Sequence, residues 1–155
     1  MTNVKAQMTN EYKLRKSTPD DFMLAYDIRK NALGKYVEET WGWDEEWQMK
    51  YHKEDFDIDI LQIIEVDGKP AGSLEKFEDG ESIRVSGIYI TNEYQGRGIG
   101  GEIMKKIIHE AGLKNMPVRF QVLKVNPRAK KFYEKLGFTL CGENETHYQM
   151  IYNRK

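Results

Sequence analysis

The sequence predicts an α/β domain of the α+β kind, a mixed and mostly antiparallel sheet of about seven strands flanked by about four helices. Three observations carry that expectation. β-branched segments at Ile58 to Val66, Lys69 to Phe77 and Ser82 to Thr91 are joined by the hairpin turns Asp67-Gly68 and Asp79-Gly80. A strand-helix-strand unit then runs from Ser82 to Val125, and such a unit sets its two strands parallel. No repeat, low-complexity tract or Pro/Gly/Ser linker divides the 155 residues, so residues 11–155 read as a single domain.

Each element has a local cause. Tyr12 to Lys16 alternates like a strand. Thr18-Pro19-Asp20-Asp21 supplies an N-cap, a first-turn proline and first-turn acids for a helix expected to reach about Ala32. Glu38 to Lys53 reads as one or two helices interrupted near Gly42. From Ile99 to Ala111, Ile99, Ile103, Met104, Ile107, Ile108 and Ala111 share one helical face, leaving Lys105, Lys106, His109 and Glu110 outward. Pro117 to Val125 reads as a strand, and Asn126-Pro127 caps a short helix that Gly137 stops. Phe138 to Gly142 and Thr146 to Tyr152 form a closing strand pair.

Composition limits the function classes. The net charge of −1 and pI near 6.3 offer no basic surplus for nucleic acid. Met1 to Asn10 is polar, so it is neither a signal peptide nor a membrane span, and it is expected to be a flexible leader. Cys141 is the sole cysteine, expected as a small semi-buried hydrophobe in a reducing, cytoplasmic setting. The histidines His52, His109 and His147 lack metal-ligand spacing, and no metal is expected.

The most informative stretch is Gln95-Gly96-Arg97-Gly98-Ile99-Gly100-Gly101, set between a strand and a helix. Four glycines keep side chains away from helix-start N–H groups, which attract phosphate. A dinucleotide fingerprint fits poorly, because Asn92 to Gln95 separate strand from glycines and Arg119 to Lys124 carries no ribose-binding acid. A kinase-type phosphate loop fails because Glu102 follows Gly101 where a lysine should stand. Close helix-strand packing alone would need only one glycine.

Gln95-x-x-Gly98-x-Gly100 resembles the acetyl-coenzyme A signature of the GCN5-related N-acetyltransferases, the GNAT superfamily. Val125-Asn126-Pro127-Arg128-Ala129-Lys130-Lys131-Phe132-Tyr133-Glu134-Lys135-Leu136-Gly137-Phe138 resembles the second cofactor segment of that family. The segment Trp41-Gly42-Trp43-Asp44-Glu45 is similar to a bacterial subgroup.

The resemblance implies acetyl transfer from acetyl-CoA to a primary amine, small molecule or peptide, by direct attack in a ternary complex. A non-catalytic acyl-CoA-binding module is the alternative. It implies that Gln95, Gly96, Arg97, Gly98, Ile99, Gly100 and Gly101 hold the pyrophosphate. It further implies that the backbone of Ile88, Tyr89 and Ile90 holds the pantetheine arm, splayed from the next strand, their side chains mostly serving the core. Asn126, Phe132 and Tyr133 complete the cofactor set, with Asn126 equally explained as a helix cap. Tyr133 is implied as the acid that protonates the departing thiolate, although its spacing with Ala129, Phe132 and Leu136 also suits core packing. A homodimer through the C-terminal strands is a family-level expectation.

Where family members carry a glutamate as base, this chain has Arg84 and Gln121. Glu75 is the substitute expected from the sequence, with a surface carboxylate as its plainer reading. His147, Glu38 and water-mediated deprotonation are further options. Around the acceptor, Lys35 to Asp57 interleaves acids with Trp41, Trp43, Trp47 and Tyr51, which suits a cationic amine. The same pattern also describes an amphipathic helix pair with its aromatics in the core.

Overall fold

The computed structural model describes residues 11–153, so the leader expectation for Met1 to Asn10 lies outside the described residues. Seven strands form one sheet in the order β1-β2-β3-β4-β5-β7-β6. They are β1 (Lys13–Lys16), β2 (Leu61–Val66), β3 (Lys69–Glu78), β4 (Ile83–Ile90), β5 (Val118–Leu123), β6 (Thr139–Glu143) and β7 (His147–Tyr152). Every neighbouring pair is antiparallel except β4 and β5. The four helices are α1 (Phe22–Trp41), α2 (Glu45–Asp55), α3 (Ile99–Leu113) and α4 (Pro127–Lys135).

Entry into α1 follows the expected signal. Thr18 accepts from Asp20 N at 3.2 Å while Asp21 accepts from Thr18 N at 2.9 Å, a reciprocal capping box around the short turn Pro19–Asp21. The expected end near Ala32 is wrong, for α1 continues to Trp41. Gly34 is tolerated inside the helix, and the chain leaves it only at Gly42, whose φ of 81° a side chain would oppose. Asp44 then caps α2, accepting from Trp47 N at 3.1 Å. The second strand also starts later than expected, at Leu61, with Ile58 to Ile60 in a turn.

The main core lies between the sheet and α3. Ile103, Met104, Ile107 and Ala111 of α3 meet Ile64, Leu74, Val85, Val118 and Phe120. Phe138 is 2% exposed and packs edge-on against Phe120 at 5.0 Å and Tyr133 at 5.9 Å. Phe138→Ala is therefore expected to cost about 3–5 kcal/mol, read as a lower urea midpoint at unchanged slope. The opposite face, over β3 and β4, is covered by α1. Arg15 ties β1 to that side, bridging Asp21 and Glu65 at 2.9 Å each.

Two features of β4 shape the cleft beside it. Glu75 pairs with Gly87 while Lys76 pairs with Val85, so Ser86 is an extra residue in a bulge. The bulge resets the alternation: Ile83 and Val85 face the α3 core, and Ile88 and Ile90 beyond it do too. In addition, β4 and β5 pair only at Ile83 with Val118 and Arg84 with Arg119. Beyond those two rungs the strands part.

Candidate active site

The cleft between the parted strands opens at their carboxyl ends, where parallel strands commonly receive ligands. On one side β4 leads through Asn92–Tyr94 into the glycine loop and α3. On the other, β5 leads to Asn126 and α4. The two motifs singled out in the sequence thus stand at the mouth of one cleft.

The glycine loop is shaped for an anion. Gly96 and Gly98 take φ of 79° and 83°, a left-handed conformation that glycine adopts without strain. Gly98 is the N-cap of α3 and offers no side chain to its first N–H groups. Uncapped donors and the positive end of the helix dipole therefore coincide. Gln95 donates from Nε2 to the Ile90 carbonyl at 2.8 Å, joining the loop to the end of β4. The Arg97 guanidinium sits over the Tyr94 ring at 4.9 Å. A Cβ at Gly101 would stand 3.3 Å from Phe132 Cζ, so α4 braces the first turn of α3 there. Asn126 caps α4, its Oδ1 accepting from Ala129 N at 3.2 Å.

Tyr133 belongs to an aromatic cluster, its ring 4.3 Å from Phe120 and 5.1 Å from Phe132. Burial alone pushes its phenol up to about 12, so it carries its proton throughout the neutral range.

Across the sheet, Glu75 lies opposite Gly87, a few residues past the last β4/β5 rung. It is half-buried, not the surface carboxylate its sequence context suggested. Burial pushes its carboxyl up to about 7, Asp55 and Asp57 add repulsion, and Arg29 and the Ser86 hydroxyl pull it back. Tyr89 shares this side. A Cβ at Gly87 would stand 2.7 Å from the Tyr89 ring, so the ring folds back over Gly87 and a larger residue there would have to displace it. The expectation that the β4 side chains mostly serve the core holds for Ile88 and Ile90 and fails for Tyr89, because the Ser86 bulge turns it toward Glu75. Burial and the Glu75 charge push the Tyr89 phenol well above its ordinary range.

The remaining candidates fall elsewhere. Glu38 is exposed near the end of α1. His147 is half-buried, holds Thr146 Oγ1 at 2.9 Å through Nδ1, and lies 6.0 Å from the Trp41 ring; burial lowers its pKa. Cys141 is exposed on the edge strand β6, contrary to the semi-buried expectation. Trp41 and Trp47 are 59% and 56% exposed, against the core reading of that aromatic stretch, whereas Trp43 is half-buried and packs on buried Tyr26.

The family model described as an acetyltransferase (GNAT) domain matches residues 57–140, more than half of the chain. This chain belongs to the GNAT acetyltransferase family. An uncharacterized N-acetyltransferase of Methanocaldococcus jannaschii is 30% identical over 141 residues, covering 82% of this chain and 60% of that protein. The thialysine N-epsilon-acetyltransferase of Bos taurus is 34% identical over 89 residues, covering 50% of this chain and 52% of that one. The matches thus span between about half and three fifths of those relatives' lengths. Among solved structures, the PaiA N-acetyltransferase of Thermoplasma acidophilum in complex with coenzyme A superposes with a TM-score of 0.74 at 16% identity, covering 93% of this chain and 99% of that one. The likeness is one of fold, and the mixed sheet of this chain with its one parallel pair is the GNAT fold.

Sequence reasoning missed Arg29 and its partner Gln48, and it expected Tyr89 only as a backbone contact to the cofactor, not as a side chain beside Glu75. A helical arginine or glutamine has no pattern that separates it from the surface. Gly87 was the available signal, since a glycine inside a strand marks a close approach.

Proposed function

We propose that this chain transfers the acetyl group of acetyl-CoA to a primary amine by direct attack within a ternary complex. The observation that carries the reading is an uncapped, glycine-lined helix start at the mouth of a strand pair that parts after two rungs. The likeness to a coenzyme A complex and to an Nε-acetyltransferase supports the donor and the amine acceptor.

Bound acetyl-CoA supplies a thioester whose carbonyl carbon accepts a nucleophile. The N–H groups of Gly96 to Gly101 hold its pyrophosphate, with Gln95, Arg97 and Ile99 forming the rest of the loop. The backbone of Ile88, Tyr89 and Ile90, freed where β4 leaves β5, holds the pantetheine arm. Asn126 and Phe132 act mainly by fixing α4 against the loop. Glu75 takes a proton from the amine; a carboxyl near 7 is half-ionised at neutral pH and matched to that task. Tyr133, protonated at that pH, donates to the departing sulfur. The exposed, unpaired Cys141 supports a reducing, cytoplasmic setting.

The test is coenzyme A release from acetyl-CoA against a panel of amines. Amine-dependent release is expected; binding without release would leave the acyl-CoA-binding module. Tyr133→Phe is expected to lower kcat by roughly tenfold to a hundredfold while sparing acetyl-CoA affinity. Unchanged kcat would remove Tyr133 from the acid role.

A further inference from the structure

Arg29 is held differently from Arg15 and Arg84. Its guanidinium lies 5.2 Å from the Tyr51 ring centroid and 5.9 Å from that of Trp43, and Nη1 donates to Gln48 Oε1 at 2.7 Å. Its positive charge also reaches the Tyr89 phenol and offsets part of that group's upward shift. All of those partners are neutral. Gln48 is only 3% exposed, so the seat is fixed by packing and is not a chance surface contact. Arg15 and Arg84, in contrast, each sit at 2.9 Å from a carboxylate. Among the described residues, no carboxylate stands within ion-pair distance of Arg29.

A guanidinium fixed by neutral groups keeps its charge and its planar fork for an anion brought from outside. Glu75 stands on the strand pair that α1 covers, opposite Gly87 and the Tyr89 ring folded over it, and its charge and that of Arg29 act on each other through space. The site therefore presents two poles, a carboxylate beside the parted strands and a guanidinium on α1. Asp55 and Asp57 add negative charge around Glu75. A plain cationic amine would be drawn by those acids but would meet Arg29 uncompensated. An acceptor carrying both signs satisfies both poles.

We infer that the acceptor is of amino-acid type: its amine faces Glu75 and its carboxylate is held by Arg29, a specificity-determining residue. This inference rests on the acetyl-transfer reading and adds the substrate class to it.

The experiment measures kcat/KM for amino acids paired with their decarboxylated counterparts: lysine with 1,5-diaminopentane, ornithine with 1,4-diaminobutane, and alanine with ethylamine. The carboxylate-bearing member of the accepted pair is expected to be preferred by at least tenfold. Arg29→Met keeps an apolar stem between the two rings, and is expected to raise the KM of that member by roughly tenfold to a hundredfold and abolish the preference. Arg29→Lys, which keeps the charge without the fork, is expected to restore part of it. Equal or better use of the decarboxylated amines by the wild type would overturn the inference, as would a preference that survives Arg29→Met. Turnover of peptides with no turnover of any pair would overturn it while leaving acetyl transfer standing. Failure of every amine, peptides included, would remove both.

Discussion

Replacing Glu75 with glutamine is expected to lower kcat/KM for amine acetylation by roughly 10²- to 10⁴-fold, the range over which a positioned general base contributes. The pH profile makes the assignment specific. A base with a carboxyl near 7 works in its deprotonated form, so the wild-type rate is expected to fall as pH drops through about 7. In Glu75→Gln that acid limb should vanish from the residual rate. Stability moves the other way. The folded carboxyl is raised from an ordinary 4.5 to about 7, so the folded state binds the proton more tightly than the unfolded chain. Its stabilising contribution is therefore complete below about 4.5 and lost as pH rises through 7. At pH 8 the charged, half-buried group opposes folding by about 1–3 kcal/mol, allowing for partial exposure. Glu75→Gln is thus expected to melt higher than wild type at pH 8 and to gain little at pH 4. A slower enzyme with an unchanged acid limb would move the base elsewhere, to His147 or to water.

Gly98→Val is expected to weaken acetyl-CoA binding by at least tenfold, measured by calorimetry. Valine at a φ of 83° is sterically opposed, and its methyl groups would stand among the N–H groups that α3 leaves uncapped. Strain alone is separated from loss of the anion seat by Gly80→Val. Gly80 has a φ of 94° in the turn between β3 and β4 and open space around it. Both variants should lose stability, and only Gly98→Val should lose the ligand. Equal affinities in the two would detach the glycine loop from pyrophosphate binding.

What the sequence disclosed, and what it hid, divides along a physical line. Strands β2 to β4 were legible because β-branched runs end at Asp67-Gly68 and Asp79-Gly80, and both sets of turn residues adopt those turns. The buried face of α3 followed from its 3.6-residue period, with Ile108 the one member only partly buried. Local signals failed where tertiary context decides. The helix expected to end near Ala32 runs on through Gly34 to Trp41, since one glycine costs a helix only about 1 kcal/mol, which packing overrides. The orientation of Tyr89 depends on a bulge at Ser86, and a bulge is set by how two strands pair rather than by either strand's alternation. For the same reason the acceptor side stayed hidden. Arg29, Gln48 and Glu75 come from three elements, and only the fold sets Arg29 between its partner Gln48 and the strand pair that carries Glu75.

Direct transfer from acetyl-CoA to an amine held in the same complex is tested most directly by initial rates over a matrix of acetyl-CoA and amine concentrations. Intersecting double-reciprocal lines, with N-acetyl amine formed in equal amount to coenzyme A released, are the expected result. Parallel lines with an acetylated enzyme, or coenzyme A release with no acetylated amine, would contradict it.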